Sequence, residues 1–250
     1  MLFFLIAMRM FGFIFLNPIL GRRNIPAIAK TGLALVLAVL IYTTQSAAMQ
    51  DFSVDSSLEF AVLLLKEFAV GYLLGFLLEL LDMVFTFAGT LIDFQMGISM
   101  AQVYDPQSGA QIALSGKILQ IYYMLIFFAV DGHLALMKIL LDAGQLLPYG
   151  EVAISTHAAQ LAIDIFYDCV VLAVKISFPM IAFEFILEIV VGVLMKVNPQ
   201  VNIFILSIQL RLLCGFILMI ILIDPLNSVI GDVISDMMRA MSQMLKVAGG

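Results

Sequence analysis

Charged residues are scarce in this 250-residue chain, and tryptophan is absent. Only 12% of the residues are Asp, Glu, Lys or Arg, whereas a soluble domain averages about 25%. The 12 basic residues are dispersed and the net charge is −6, which argues against a nucleic-acid-binding protein. The lack of Trp removes one usual anchor at the membrane interface, which Tyr and Phe partly replace.

Catalytic and metal-binding motifs are also missing. Cys169 and Cys214 stand singly in apolar surroundings, which predicts buried free thiols and not a disulfide or a metal site. No HExxH, GxSxG or P-loop pattern occurs, and His133 and His157 are far apart without neighbouring cysteines. The sequence therefore predicts no enzyme, no cofactor and no metal ion.

Hydrophobic residues make up 63% of the chain and give a mean hydropathy of +1.12. Because they are grouped in long segments, we expect an all-α, multi-helix integral membrane protein with long, broken helical hairpins. Arg9 interrupts the first segment and no small-residue cleavage site follows, so we interpret that segment as a retained helix. Pro179 is expected to kink or divide the fifth segment. The segments are residues 1–20, 31–44, 58–87, 118–130 with a continuation to 141, 158–195 and 203–223.

A polar stretch, residues 88–117, interrupts the apolar segments. Its Gly, Ser, Gln and Asp content and the DPQSG sequence at 105–109 predict a Gly/Ser-rich central loop containing a turn. Irregular backbone between membrane helices is tolerated in water, or where protein encloses it, or where it lines a cavity. Two interpretations stay open: an ordinary polar loop between two helices, and a loop inside a conduit.

Ionisable residues lie well inside the apolar segments, where a charge at the bilayer centre costs about 2.5–3.5 kcal/mol. Glu184 and Glu188 share one helix face because they are four residues apart. Two hypotheses explain such charges: a proton or ion pathway in a transporter, or burial in a larger assembly where charges pair between subunits. The residues are Arg9, Lys66, Glu67, Glu79, Asp82, Asp164, Asp168, Lys175, Glu184, Glu188 and Arg211.

The C-terminal tail has a different pattern from the apolar segments. Its apolar residues recur at three- and four-residue spacing, which predicts an amphipathic helix. Such a helix lies on a membrane surface or on its own bundle, or it docks a partner subunit, and the pattern leaves both open. The apolar positions are Ile230, Val233, Ile234, Met237, Met238, Met241, Met244 and Leu245.

Basic residues indicate which loop faces the cytoplasm. Arg22 and Arg23 follow the first apolar segment, with Lys30 close behind, and the positive-inside rule puts this loop on the cytoplasmic side. Strict alternation of spans then leaves the basic C-terminal tail on the opposite side. The pattern therefore favours a non-standard membrane topology in which one segment does not cross.

Short motifs occur in a fixed order along essentially the whole chain. They are Arg9-Met10-Phe11-Gly12, Asn17-Pro18, Asn24-Ile25-Pro26, Gly89, Gln95-Met96-Gly97-Ile98-Ser99, Asp105-Pro106, Gly132-His133-Leu134, Leu147-Pro148-Tyr149-Gly150, Pro179, Glu184 and Asn198-Pro199-Gln200-Val201-Asn202-Ile203-Phe204. With these motifs the sequence resembles the FliR family of flagellar export-gate subunits, whose virulence-secretion counterpart is SctT. Asp131 departs from the family pattern, so no role is transferred to it.

The resemblance implies a non-enzymatic subunit of a type III secretion export gate in the bacterial inner (cell) membrane, at the flagellar basal body. It implies assembly with P- and Q-type subunits (FliP and FliQ) into a closed helical pore for unfolded proteins. The switch subunit (FlhB) and the platform subunit (FlhA) are further expected partners. Residues 1–157 would resemble a P-type subunit, and residues 158–250 a Q-type hairpin with an amphipathic C-terminal helix.

The resemblance also implies roles for particular residues. Residues 105–116 match the family's plug loop, with Gly109 and Gly116 as expected hinges.

A small-molecule or ion transporter remains the alternative function. The expected pore-loop residues are Met96, Met100, Tyr104, Asp105, Pro106, Gln107, Ser108, Gly109, Gln111 and Gly116. The expected inter-subunit or buried charges are Lys66, Glu67, Asp164, Asp168, Lys175, Glu184, Glu188 and Arg211, and the expected hairpin turn is Asn198, Pro199, Gln200, Asn202 and Phe204.

Overall fold

The computed structural model describes residues 1–22, 24–45, 56–99, 103–105, 110–152, 156–197 and 203–249. Within these ranges the chain forms eight helices and one antiparallel pair of short strands. The elements are α1 Leu2–Phe15, α2 Ala27–Gln45, α3 Ser57–Met96, β1 Val103–Asp105, β2 Ala110–Ile112, α4 Leu114–Ala129, α5 Gly132–Leu146, α6 Thr156–Val197, α7 Ile203–Ile221 and α8 Ile223–Val247.

The helix lengths confirm the predicted membrane fold. The 40 residues of α3 reach about 60 Å, roughly twice the hydrocarbon thickness of a bilayer. Helices α2, α3 and α6 are each long and apolar enough to cross a membrane. Two further spans are possible if the bent pairs α4–α5 and α7–α8 each count as one, with bends of 68° and 58°. The first bend is at Asp131, whose φ of 58° is left-handed.

The structure corrects two expected boundaries. Residues 88–96 belong to α3 and residues 114–117 to α4, so the predicted loop 88–117 was drawn too long at both ends. Pro179 lies inside a continuous α6, so the expected division of that segment is wrong. A proline removes one backbone hydrogen bond, and packing against neighbouring helices tolerates that loss in membrane proteins.

Glycines bring α1 and α3 into backbone contact. A Cβ on Gly71 would overlap the carbonyl group of Arg9, and one on Gly12 would overlap the carbonyl oxygen of Phe68. A Cβ on Gly75 would lie 2.7 Å from the carbonyl oxygen of Phe13. The GxxxG pattern of Gly71 and Gly75 therefore serves a helix contact within the chain.

The amphipathic tail forms α8, and its apolar face packs on the chain's own helices, including α5, α3, α6 and α4. Of the two interpretations of this face, the structure supports packing on the chain's own bundle. Its buried residues are Ile230, Ile234, Met237, Met238, Met241, Met244 and Leu245.

Candidate pore loop and buried charges

The root of the β1–β2 hairpin is fixed by a carboxylate that reaches from one side of the loop to the other. Asp93 in α3 is 1% exposed, and its two carboxylate oxygens accept the backbone N–H of Ser115 at 3.1 and 3.3 Å. The residue before α4, Ala113, provides no side-chain cap. Asp93 therefore satisfies an N-terminal donor of α4 across 22 residues of sequence.

A glycine contact lies beside this bond. A Cβ on Gly89 would overlap the backbone N and Cα of Gly116, so α3 and α4 touch through their backbones. Gly116 was predicted to be a hinge, but it is buried in the first turn of α4. That prediction is wrong because this glycine serves a close helix crossing and not a flexible joint.

Helix α7 covers the same root. Met96 is fully buried, and a Cβ on Gly215 of α7 would lie 2.8 Å from the Cε and Cγ atoms of Met96. The Ser115 hydroxyl donates to the Met219 sulfur at 3.7 Å. Met96 was predicted to belong to the pore loop, and the structure places it in the packed root beneath the loop.

The described part of the loop is a hairpin. Tyr104 pairs with Gln111 and Asp105 with Ala110 in an antiparallel register. The Gly/Ser-rich character of the sequence predicted a turn but not these strands. The remaining predicted pore-loop residues, Met100, Pro106, Gln107, Ser108 and Gly109, lie outside the described residues.

A second polar contact joins α3 and α4 below the root. The Gln120 amide nitrogen donates to the two Asp82 carboxylate oxygens at 3.0 and 2.7 Å, and both residues are buried. The Gln120 carbonyl oxygen accepts from the Lys117 ammonium at 3.0 Å. The carboxylate of Asp82, which the sequence marked as costly in lipid, is thus hydrogen-bonded inside the chain.

We predict that Gly89→Ala destabilises the protein by about 1–3 kcal/mol, because the added methyl group must push α3 and α4 apart. Gly192→Ala is the matched control, since a Cβ on Gly192 of α6 meets open space. That change should stabilise α6 by about 1 kcal/mol through helix propensity. Thermal unfolding of the variants, each purified in the assembly in which the chain is extracted, measures both effects, and equal stability of the two would refute the glycine contact.

A buried ion pair joins α1 and α3. Arg9 and Glu67 are both fully buried, and the Arg9 Nε atom donates to a Glu67 oxygen at 2.6 Å. Arg9 also donates to the carbonyl oxygens of Ala143 and Leu147 at 3.3 and 3.0 Å. The other Glu67 oxygen accepts the Gly150 N–H at 2.8 Å. The pair therefore fixes the end of α5 and its following loop against α1 and α3.

Tyr149 completes this cluster. The Arg9 guanidinium lies 4.1 Å from the centre of its ring, a cation–π arrangement. Burial and the Glu67 carboxylate, opposed by Arg9, raise the pKa of Tyr149 to about 12. The phenol therefore stays neutral at physiological pH, and the cluster carries one positive and one negative charge.

The other predicted charges have different environments. Glu67 is a buried charge, one of the two environments predicted for it, and its ion-pair partner Arg9 lies within the chain. Glu184 is 2% exposed, and neither of its oxygens has a hydrogen-bond partner in the described part of the chain. Arg211 of α7 binds the exposed Glu188 of α6 at 2.9 Å. Lys66 is half-buried, whereas Asp164, Asp168 and Lys175 of α6 are exposed.

The Glu188–Arg211 pair also indicates a helical hairpin. The two residues lie at similar distances from the connection between α6 and α7, so these helices fold back on each other. Phe204 lies in α7. The other predicted turn residues, Asn198, Pro199, Gln200 and Asn202, fall outside the described residues.

Together, the long apolar helices and the anchored hairpin define a helical membrane protein with an internal loop. The chain belongs to the family described as bacterial export proteins, family 1, whose model matches residues 1–237. This confirms the resemblance to the FliR family, and the membrane-length helices place the chain in the bacterial inner (cell) membrane.

Three relatives give the extent of the similarity. The flagellar biosynthetic protein FliR of Bacillus subtilis (strain 168) is 28% identical over 250 residues, covering 99% of this chain and 95% of that protein. FliR of Escherichia coli (strain K12) is 30% identical over 220 residues, covering 87% of this chain and 82% of that protein. The Yop proteins translocation protein T of Yersinia pestis is 22% identical over 207 residues, covering 82% and 78%. These names favour protein export over a small-molecule or ion transporter.

Proposed function

We propose that the chain is a non-enzymatic core subunit of the flagellar type III export gate, at the flagellar basal body. With P- and Q-type subunits it would form a gated pore that passes unfolded flagellar proteins across the inner membrane. The observation that carries this proposal is the hairpin with a rigid root. Asp93 and the Gly89–Gly116 contact join α3 to α4 on the two sides of the loop, and β1 pairs with β2 between them in the sequence.

Such an arrangement suits a plug. A protein-export pore must admit chains of many sequences and still hold back ions at rest. A loop that hangs from a fixed root can fill a constriction, and apolar constrictions close by dewetting. Because the root is held by buried contacts, displacement would be confined to β1, β2 and the residues that link them. Gly109 remains the proposed hinge.

The outer surface of α6 supports an assembly. Only 28% of the most apolar 18-residue stretch of α6 is buried, and Asp164, Asp168 and Lys175 are exposed along the same helix. Charges facing lipid on a membrane helix are costly, so we infer that partner subunits cover this face. P- and Q-type subunits are the proposed occupants, with the switch and platform subunits as neighbours on the cytoplasmic side.

Co-expression with the neighbouring P- and Q-type subunits tests the proposal. The three should be extracted as one complex, and the chain expressed alone should aggregate. Asp168→Lys should reduce the co-purified partners about tenfold or more, since 1.4 kcal/mol of lost binding energy is already a factor of ten. Asp232→Lys, on the exposed face of α8, is the matched control and should leave the complex intact. A stable, monodisperse monomer in mild detergent would contradict the proposal.

A further inference from the structure

A large cavity lies away from the hairpin and from the Arg9–Glu67 cluster. Its volume is about 870 Å³, within the roughly 300–1,000 Å³ typical of small-molecule sites. The end of α1, the turn after it, the first turn of α2, the middle of α3 and one residue of α4 form its walls. The proposed gate function assigns no role to this cavity.

Charges of both signs line the cavity. Arg22 and Lys30 come from the turn and from α2, and Glu79 and Asp82 come from α3. The Arg22 Nε–H donates to the Pro18 carbonyl oxygen at 3.1 Å, and the Lys30 ammonium donates to the Gly21 carbonyl oxygen at 2.8 Å. A guanidinium has five N–H donors and an ammonium has three, so each of these cations has further donors for a ligand.

Apolar side chains form the rest of the lining. Phe11, Leu16, Phe15 and Met83 contribute, and the last two are 71% and 42% exposed. The cavity therefore combines charged walls with an apolar entrance that faces outward. A ligand for it needs separated positive and negative groups on an apolar body.

The position of the cavity in the membrane points to the same kind of ligand. Ala27 lines the cavity and is also the first residue of the candidate span in α2. The cavity therefore lies at one end of this candidate span, and phospholipid headgroups lie at the ends of membrane spans. Arg22 and Lys30 belong to the basic segment that the positive-inside rule assigns to the cytoplasmic side.

We propose that this cavity binds a zwitterionic phospholipid with a primary ammonium group, phosphatidylethanolamine. The phosphate contacts Arg22 and Lys30, the ammonium lies near Glu79, and an acyl chain follows Phe15 and Met83. Phosphatidylglycerol lacks the cation for the Glu79 carboxylate. Phosphatidylcholine carries a quaternary cation that cannot donate hydrogen bonds to it.

Lipid retention measured by native mass spectrometry tests the proposal. The full chain is purified from membranes in the assembly in which it is extracted. It is then exchanged into nanodiscs that contain equal parts of the three phospholipids. Detergent finally removes the weakly bound lipid. We expect phosphatidylethanolamine to be retained selectively. Arg22→Gln with Lys30→Gln should lower the retained lipid about tenfold, the loss of 1.4 kcal/mol of binding. Glu79→Gln should abolish the preference over phosphatidylglycerol. Lys138→Gln with Lys246→Gln, basic residues of the α5–α8 groove, should change neither.

Several outcomes would overturn the proposal. The wild-type protein could retain phosphatidylglycerol preferentially, or all three lipids equally. Either result would show that the cavity does not select a zwitterionic lipid. Because it is measured on the wild-type protein, it holds even if a variant fails to fold. Release of the bound lipid by millimolar inorganic phosphate would show that the cavity recognises only the phosphate. A photo-crosslink from Thr31 to a partner subunit instead of to lipid would identify a protein occupant. Since the readout is bound lipid and not export, this test is independent of the proposed gate function.

Discussion

Replacing Glu67 by alanine will destabilise the protein by about 3–5 kcal/mol, the usual cost of leaving a buried charge without its partner. Arg9 and Glu67 are both fully buried, so Arg9 would lose its counter-ion in the interior of the chain. The Gly150 N–H would lose its acceptor as well. We expect a sharp fall in the thermal unfolding temperature and in the amount of protein extracted from membranes.

Two controls separate the buried charge from ordinary loss of an ion pair. Glu188→Gln removes the partly exposed pair with Arg211 and should cost about 1 kcal/mol or less. The double change Arg9→Met with Glu67→Met replaces both charges by apolar side chains and should recover much of the stability, as such swaps often do. If Glu67→Ala were no worse than Glu188→Gln, the Arg9–Glu67 pair would not hold these helices together.

Deleting residues 107–111 should leave the complex assembled and make the membrane leak protons and small ions. The deletion removes residues that follow β1 in the sequence and part of β2, whereas the contacts of Asp93, Gly89 and Gln120 that fix α3 on α4 stay intact. Proton flux into membrane vesicles, followed with a pH-sensitive dye, measures the leak. Native mass spectrometry of the same preparation measures assembly.

A length-matched variant serves as the control for this deletion. Replacing residues 107–111 by a Gly-Ser segment of equal length keeps the bulk of the loop, so a plug that acts by filling space should stay ion-tight. The plug proposal would be wrong if the deletion abolished assembly while the remaining complex stayed tight. The loop would then be a structural strut.

The apolar segments and the tail were predictable because they rest on local patterns. A long run of hydrophobic residues indicates a membrane helix wherever it packs, and the spacing from Ile230 to Leu245 fixes the buried face of α8. Pro179 does not divide α6, because the local preference of proline for a break is outweighed by the packing of a long helix.

The site was less predictable because its contacts join distant parts of the sequence. Asp93 and Gln95 made residues 88–96 look like loop, yet Asp93 is a helical residue that caps α4, and no local signal reveals a partner 22 residues away. Strands of three residues are too short to show alternation. Arg9 and Glu67 were recognisable as charges that are costly to place in a membrane. The sequence allowed many pairings among such charges, and the packing of the helices selects the pair Arg9–Glu67.

Photo-crosslinking from the segment that links β1 to β2 in the sequence tests the central claim most directly. A photoreactive amino acid at Ser108, in the complex with its P- and Q-type subunits, should crosslink to pore-lining residues of those subunits at rest. The same residue placed at Asp232 on α8 is the control for non-specific crosslinks. When an export substrate is stalled in the complex, the crosslinks from Ser108 should shift from the subunits to the substrate. Identical crosslinks at rest and with stalled substrate would contradict a loop that plugs the pore and moves aside for the exported chain.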